Sequence, residues 1–204
     1  VTGAVGLEVM YLLEQKIVKF NKLKLLASKK SAGIEVCILD KIYIIEEVTE
    51  ESFDGYEYAL FCVSAKLSKQ YAPIAIKNNC IVIDNSSAYR MYDDIPLIIP
   101  EINSDKLLTN KSRIIANPNC TTILLDIVLY PIHKKYGIEK VNVSTYQSAS
   151  GAGIHGLKEL MAQLKFGENI LYNNVERDNT YPVFGRQYLM NIFSHNSAID
   201  LENG

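Results

Sequence analysis

The segment Val1-Thr2-Gly3-Ala4-Val5-Gly6 places two glycines directly before an amphipathic stretch. In residues Leu7 to Phe20, apolar side chains recur at helical spacing, which predicts a helix there. A glycine turn that leads into a helix is typical of a nucleotide-binding loop, because the bare amides of the helix N-terminus attract a pyrophosphate. Two glycines alone also fit a plain turn, so the residues that follow must decide between the two interpretations.

Short apolar strands alternate with helical segments downstream of this turn. The alternation predicts an α/β fold with a Rossmann-type doubly wound parallel sheet. Predicted strands include Leu23–Ala27, Ile34–Leu39, Ile42–Val48 (after a tight turn at Asp40-Lys41), Tyr58–Val63, Cys80–Asp84 and Val141–Gln147. Further helices are predicted at Leu67–Lys77, Thr121–Tyr136 and Ile154–Lys165. The pattern changes near Asn117, which predicts a nucleotide-binding domain over residues 1–118 and a second domain over residues 119–204.

The composition is that of an ordinary globular protein, with 48% hydrophobic residues and a formal charge of −2. Without a basic surplus we expect no nucleic-acid partner, and the longest apolar run, Ile123 to Tyr130, is too short to cross a membrane. The four cysteines include no pair at zinc-site spacing, so neither a metal site nor a disulfide framework is predicted. Cysteines without such spacing are typical of proteins in the reducing cytoplasm.

The strand predicted at Leu23–Ala27 leads into Ser28-Lys29-Lys30-Ser31. In an NAD enzyme this position, about twenty residues after the glycine turn, carries an acidic residue that binds the ribose 2′-hydroxyl. Two hydroxyls and two ammonium groups cannot replace that acid, but they can neutralise a 2′-phosphate. The segment therefore favours NADP over NAD, with a solvated Lys-Lys turn as the alternative interpretation.

Cys120 differs from the other cysteines because it lies where a predicted strand gives way to the helix at Thr121–Tyr136. A helix N-terminus stabilises a thiolate, and its free amides can hold an oxyanion that develops on an attacked carbonyl. A thiolate beside an NADP turn indicates acyl chemistry, in which a thioester forms and hydride moves between it and the nicotinamide. A helix-capping role for Cys120 is the alternative.

Taken together, these residues resemble the aspartate-semialdehyde dehydrogenase family, in family order along the whole chain. The matching segments are Thr2-Gly3-Ala4-Val5-Gly6, Leu26-Ala27-Ser28-Lys29-Lys30-Ser31-Ala32-Gly33, Val82-Ile83-Asp84-Asn85-Ser86-Ser87-Ala88-Tyr89-Arg90-Met91, Pro100-Glu101-Ile102-Asn103, Ile115-Ala116-Asn117-Pro118-Asn119-Cys120-Thr121-Thr122, Ser144-Thr145-Tyr146-Gln147 and Ser150-Gly151-Ala152-Gly153. The resemblance implies that the Rossmann-like domain, without its first strand, is followed by an incomplete α+β catalytic and dimerisation domain.

The resemblance also implies a role for each matching position. Cys120 would be the acyl-accepting nucleophile, and Gln147 would orient the substrate or the thioester carbonyl. Arg90 and Asn119 would hold the phosphate of aspartyl phosphate, a task that suits a guanidinium fork. The residues implied to bind NADP are Thr2, Gly3, Ala4, Val5, Gly6, Ser28, Lys30, Ser31, Asn85, Ser86 and Gly151.

The reaction that the resemblance implies is the reductive dephosphorylation of L-aspartyl 4-phosphate by NADPH, which yields L-aspartate 4-semialdehyde and phosphate. This is an early step toward diaminopimelate, lysine, methionine and threonine, and the resemblance also implies a homodimer. Two other functions stay open at this point. One is a related reductase of the N-acyl-glutamyl-phosphate type, and the other is a catalytically silent nucleotide-binding protein.

The sequence departs from the family pattern in several places. Ser64 and Ala65 stand where a glycine pair is usual, and Lys30 replaces a common arginine, which keeps the charge but loses bidentate geometry. The family's general-base histidine, its second substrate arginine and a phosphate-binding lysine have no match up to Gly204. None of the histidines fits the base motif: His133, His155 and His195. We therefore expect a fragment, cut at both ends, that does not turn over substrate by itself.

Overall fold

The computed structural model describes residues 1–15, 18–172 and 181–194. The chain forms two compact units, Val1–Tyr146 and Gln147–Gly204. The domain boundary after residue 118 stays a sequence prediction. Among the helices in the described ranges, none combines the length and the apolar character that a bilayer span requires.

The first unit begins with helix α1 (Ala4–Glu14). The helix starts three residues earlier than predicted, because the carbonyl of Gly3 already accepts a hydrogen bond from the Leu7 amide at 3.0 Å. It also ends earlier than the prediction to Phe20, and Ile17, which belonged to that prediction, lies outside the described residues. The glycine turn is therefore the first turn of the helix itself.

Helix α1 packs on a three-stranded sheet through a small apolar core. The strands are β1 (Leu25–Ala27), β2 (Glu35–Ile38) and β3 (Lys41–Glu47), in the order β1-β3-β2. Strand β1 runs parallel to β3, whereas β2 and β3 form an antiparallel hairpin. Its turn is Leu39-Asp40, one residue earlier than predicted, because Lys41 already pairs with Ile38. Both turn residues have positive φ, as the type I′ turn of a two-residue hairpin requires.

A second sheet contains β4 (Tyr58–Phe61), β5 (Ile81–Asp84) and β6 (Ile114–Ala116), all parallel and in the order β4-β5-β6. Helix α2 (Ala65–Lys77) connects β4 to β5, and the Ser64 hydroxyl caps it by accepting from the Leu67 amide at 3.4 Å. Two short helices, α3 (Pro100–Asn103) and α4 (Lys106–Thr109), precede β6. Parallel strands joined through helices confirm the predicted α/β fold.

Helix α5 (Cys120–Tyr136) follows β6 after three residues and ends at Gly137, which has a φ of +76°. The helix was predicted one residue shorter, from Thr121. Residues 138–148 form neither helix nor strand, so the strand predicted at Val141–Gln147 is wrong. Alternating apolar residues favour a strand only where a neighbour supplies backbone hydrogen bonds, and nothing in the described ranges pairs with this segment.

The second unit is built on helix α6 (Gly153–Tyr172). Two buried polar side chains on this helix, Glu159 and Gln163, hold a later segment of irregular backbone. The Glu159 carboxylate accepts from the Val183 amide at 2.8 Å, and the Gln163 carbonyl oxygen accepts from the Tyr188 amide at 2.9 Å. Their spacing of four residues places both side chains on one face of the helix.

Candidate active site

The N-terminus of α1 presents free backbone amides. Gly3 is the N-cap residue, and no side chain in the described ranges caps the helix, so the amides of its first turn remain available to an anion. Gly6 is buried in this turn, and a Cβ there would lie 2.5 Å from the carbonyl oxygen of Val1. The Val1 amine donates to the Leu26 carbonyl at 2.9 Å, which brings the turn to strand β1. This geometry fits a pyrophosphate.

The segment 28–31 lies directly after β1. Residues Lys29–Ser31 form a single 3₁₀ turn, and the Ser31 amide donates to the Ser28 carbonyl at 2.9 Å. Ser28, Lys29 and Lys30 are exposed, and neither ammonium group forms an ion pair with a residue that the structure describes. Two unengaged cations and a hydroxyl group beside the nucleotide turn therefore fit a 2′-phosphate.

Asp84, at the carboxyl end of β5, is a buried carboxylate that the sequence analysis did not select. It is fully buried and accepts from the Ser86 amide at 3.0 Å and from the Ser86 hydroxyl at 2.8 Å. The Ser86 oxygen in turn accepts from the Ala88 amide at 3.1 Å. Ser86 is thus held by Asp84 and is itself buried. An aspartate followed two residues later by serine is an Asx-turn signal that sequence reasoning had available.

The Arg90 guanidinium is held by two backbone carbonyls. Its Nε donates to the oxygen of Asn117 at 2.8 Å, and its Nη2 donates to the oxygen of Asn85 at 3.1 Å. Burial lowers the pKa of Arg90 below its usual value, while the nearby Asp84 and Cys120 act in the opposite direction. The two hydrogen bonds hold Arg90 at the residues that directly follow strands β6 and β5.

Cys120 is the first residue of α5, as expected of a thiol at a helix N-terminus. The Asn119 side-chain oxygen caps the helix: it accepts from the Thr121 amide at 3.0 Å, from the Thr121 hydroxyl at 2.8 Å and from the Cys120 thiol at 3.7 Å. The Asn119 amide nitrogen donates to no described residue and remains free to bind an anion. The N-terminus of α5 is therefore capped by Asn119 and not by Cys120. The helix-capping role considered as the alternative for Cys120 thus belongs to its neighbour.

The other three cysteines lie in different environments. The Cys80 thiol is buried and donates to the carbonyl oxygen of Tyr56 at 3.0 Å, and burial raises its pKa. Burial also raises the pKa of Cys62. Cys37 is exposed but lies within strand β2, away from any helix start. Cys120 alone combines exposure with a helix N-terminus.

Gln147 and Gly151 belong to the second unit, whereas Cys120 belongs to the first. Gln147 is exposed, and its backbone carbonyl accepts from the Tyr188 hydroxyl at 3.1 Å. A Cβ at Gly151 would lie 3.3 Å from the Gln147 side-chain oxygen, so glycine leaves room for that carboxamide. The approach of Gln147 and Gly151 to substrate and cofactor stays a prediction.

The described residues contain no group of three or more His, Cys, Asp or Glu side chains that is arranged to hold a metal ion. The His133 ring nitrogen Nδ1 accepts from the Ile138 amide at 3.2 Å near the end of α5. His155 is exposed and lines a shallow cavity of about 300 Å³ on α6 together with Lys158. His195 lies outside the described residues.

Family models match both parts of the chain. The model described as "Semialdehyde dehydrogenase, NAD binding domain" matches residues 1–110. The chain belongs to the semialdehyde dehydrogenase family. A second model of the same family, described as "Semialdehyde dehydrogenase, dimerisation domain", matches residues 129–200.

Curated and solved relatives agree with this family. An aspartate-semialdehyde dehydrogenase of Prochlorococcus marinus is 36% identical over 99% of this chain and 57% of its own length. One of Bacillus subtilis is 46% identical over 79% of this chain and 46% of its own length. The solved aspartate semialdehyde dehydrogenase II of Vibrio cholerae, complexed with ASA, is 40% identical with a TM-score of 0.74, over 79% of this chain and 48% of that one. The chain thus spans about half the length of the relatives it matches.

Proposed function

We propose that the protein containing this sequence is an NADP-dependent aspartate-semialdehyde dehydrogenase. It converts L-aspartyl 4-phosphate to L-aspartate 4-semialdehyde and phosphate. The observation that carries the proposal is an exposed thiol, Cys120, at the start of a 17-residue helix, three residues after Asn117, whose carbonyl accepts from the Arg90 guanidinium. The names of the curated relatives support aspartyl phosphate, rather than an N-acyl-glutamyl phosphate, as the substrate.

Cys120 performs the covalent step. Its thiolate attacks the acyl carbon, a C–S bond forms, the C–O bond to phosphate breaks, and the phosphate leaves with that electron pair. The partial positive charge at the N-terminus of α5 would favour the thiolate, and the Cys120 amide, in the first turn of the helix, would donate to the developing oxyanion. After reduction of the thioester, the C–S bond breaks and the aldehyde is released with the thiolate restored.

Arg90 and Asn119 hold the phosphoryl group during this step. Two of the five N–H donors of Arg90 are occupied by backbone carbonyls, which leaves three for phosphate oxygens. The side-chain nitrogen of Asn119 supplies a further donor one residue before the nucleophile. A guanidinium binds phosphate in bidentate fashion, so Arg90 fixes both the position and the orientation of the leaving group.

NADPH, when it is bound, supplies the hydride. The amides of α1 from Ala4 to Gly6, together with Thr2 and Gly3, would hold its pyrophosphate. Ser28, Lys30 and Ser31 would hold the 2′-phosphate, and the ammonium group of Lys30 is exposed for this purpose. Asn85 and Ser86 would lie along the nicotinamide, with Ser86 oriented by its hydrogen bonds to Asp84, and Gly151 would let substrate or cofactor approach the backbone. Gln147 would orient the substrate carbonyl.

We also propose that the protein acts as a homodimer in the cytoplasm. The match of residues 129–200 to a dimerisation-domain model supports the homodimer. The cytoplasm is supported by four cysteines without a disulfide pairing among the described residues. Sedimentation of the protein containing this sequence tests the dimer, and a monomer at micromolar concentration would contradict it.

The proposed function is tested by the reverse reaction in the protein containing this sequence, as NADPH formed from aspartate semialdehyde, phosphate and NADP. Cys120→Ser should lower the rate by several orders of magnitude, because an alcohol is a far weaker nucleophile and leaving group than a thiol. Cys37→Ser is the matched control, since Cys37 is the other exposed cysteine and should leave the rate unchanged. Phosphate-independent turnover, or equal effects of the two substitutions, would contradict the proposal.

A further inference from the structure

We infer that Asn117, which has no role in the reaction as described above, is a positioning residue that fixes the Arg90 guanidinium through an amide pair with Asn85. The inference rests on the proposed function, in which Arg90 binds the phosphoryl group. The two asparagines lie 32 residues apart in sequence, after strands β6 and β5. They bring together the two carbonyls to which Arg90 donates.

The two hydrogen bonds of Arg90 occupy one edge of its guanidinium. Nε and Nη2 are the donors of the side edge, and both donate to backbone oxygens, those of Asn117 and Asn85. The N–H groups left are both of those on Nη1 and one on Nη2, and one from each nitrogen forms the outer edge. This edge has the fork geometry that binds two phosphate oxygens at once. The carbonyls of Asn117 and Asn85 therefore form a clamp that determines which edge of the Arg90 guanidinium faces a ligand.

Asn117 makes contacts with three different parts of this clamp. Its backbone amide donates to the Asp84 carbonyl at 2.8 Å, which ties β6 to the end of β5. Its side-chain Nδ2 donates to the side-chain oxygen of Asn85, and its carbonyl accepts from Arg90. Without the side-chain bond, the Asn85 and Asn117 carbonyls are linked only through the Asn117–Asp84 backbone hydrogen bond and through Arg90 itself. The Asn85 carbonyl can then shift relative to the Asn117 carbonyl, and the guanidinium loses its fixed orientation.

Small displacements of this kind have large effects on anion binding. A bidentate pair needs both phosphate oxygens in the plane of the guanidinium, so a rotated fork retains the charge but loses one hydrogen bond. Substitution of Asn117 should therefore weaken phosphate binding while the fold remains intact. It should have no further effect once the guanidinium has been removed, because Asn117 acts on phosphate only through Arg90.

The test measures the protection of Cys120 by inorganic phosphate. The protein is alkylated with iodoacetamide over a range of phosphate concentrations, and peptide mass mapping gives the rate at Cys120 alone. The variants are Asn117→Ala, Asn117→Asp, Arg90→Ala and the double variant Asn117→Ala with Arg90→Ala. Asn110→Ala is the matched control, because the Asn110 side chain makes two hydrogen bonds with the backbone of Ser112 but contacts no part of the clamp. Cys80 reports unfolding, since it is buried in the folded protein.

We expect Asn117→Ala and Asn117→Asp to raise the half-protecting phosphate concentration about tenfold, with Asn110→Ala unchanged and Cys80 still protected. In the Arg90→Ala background, Asn117→Ala should raise the half-protecting phosphate concentration further by less than about twofold. Protection that is unchanged in both Asn117 variants, full additivity in the double variant, or exposure of Cys80 in both Asn117 variants would each overturn the inference. If Arg90→Ala itself leaves protection unchanged, the phosphate role of Arg90 in the proposed function fails instead.

Discussion

Replacement of Asp84 by alanine tests whether the buried carboxylate organises the turn that carries Asn85 and Ser86. Asp84 is fully buried, and its two oxygens accept from the amide and the hydroxyl of Ser86 at 3.0 and 2.8 Å. Ser86 is itself 7% exposed, so water does not easily replace the lost acceptors. Asp84→Ala should therefore leave a buried amide without a partner.

The expected magnitude follows from these contacts. Each hydrogen bond to a charged acceptor contributes about 1.5–3 kcal/mol, and removal of the carboxylate regains part of its desolvation cost. We expect Asp84→Ala to lower the free energy of unfolding by about 2–4 kcal/mol. Asp84→Asn retains an acceptor for the Ser86 amide and gains a donor toward the Ser86 hydroxyl, so it should cost only about 1 kcal/mol.

Urea unfolding followed by far-ultraviolet circular dichroism gives these free energies, and the chain has no tryptophan that would serve as a fluorescent reporter. Asp54→Ala is the matched control, because Asp54 is exposed, and it should remain within about 0.5 kcal/mol of the wild type. The reasoning is refuted if Asp84→Asn costs as much as Asp84→Ala, or if both lie within the range of the control.

Three further predictions concern substrate, cofactor and pH. Arg90→Lys in the protein containing this sequence should raise the KM for the acyl phosphate about tenfold, because an ammonium group lacks the fork; a loss of NADPH affinity at unchanged KM would contradict this. Lys30→Glu should reduce the ratio of NADPH to NADH affinity about tenfold in a fluorescence titration, whereas Lys41→Glu on β3 should not, and equal ratios in both variants would exclude Lys30 from the 2′-phosphate site. Burial raises the pKa of Cys80, so its contribution to stability is complete below the ordinary thiol pKa of about 8.5 and is lost as the pH rises toward the raised value. Cys80→Ser should therefore flatten the fall in unfolding free energy above about pH 8.5, and an unchanged slope would refute this.

Local sequence signals predicted the fold and the position of Cys120, the candidate nucleophile, at a helix start. Cys120 was expected at a helix start because the chain changes there from an apolar strand to helical periodicity, and α5 begins at that residue. The prediction of a strand at Val141–Gln147 was wrong, since the apolar alternation of this segment carries no information on whether a partner strand is present. Strand formation depends on contacts that are distant in sequence.

The part of the candidate site that sequence reasoning missed is the environment of its side chains. Arg90 was selected, but its clamp joins carbonyls that lie 5 and 27 residues away, and no spacing rule connects them. Asp84 resembles the polar end of an apolar strand, and only the sheet buries its carboxylate completely. Charge and residue type thus indicated the candidate groups, whereas tertiary packing determines how their side chains are oriented.

The most direct test of Cys120 as the acyl-accepting nucleophile is to trap the acyl group on the protein containing this sequence. The protein is mixed with aspartyl phosphate in the absence of NADPH, quenched in acid and mapped by peptide mass spectrometry. The account predicts one aspartyl adduct, on the peptide that carries Cys120, which hydroxylamine removes as expected of a thioester and which Cys120→Ser abolishes. An adduct on Cys37, Cys62 or Cys80 instead, or phosphate release with no adduct on Cys120, would contradict it.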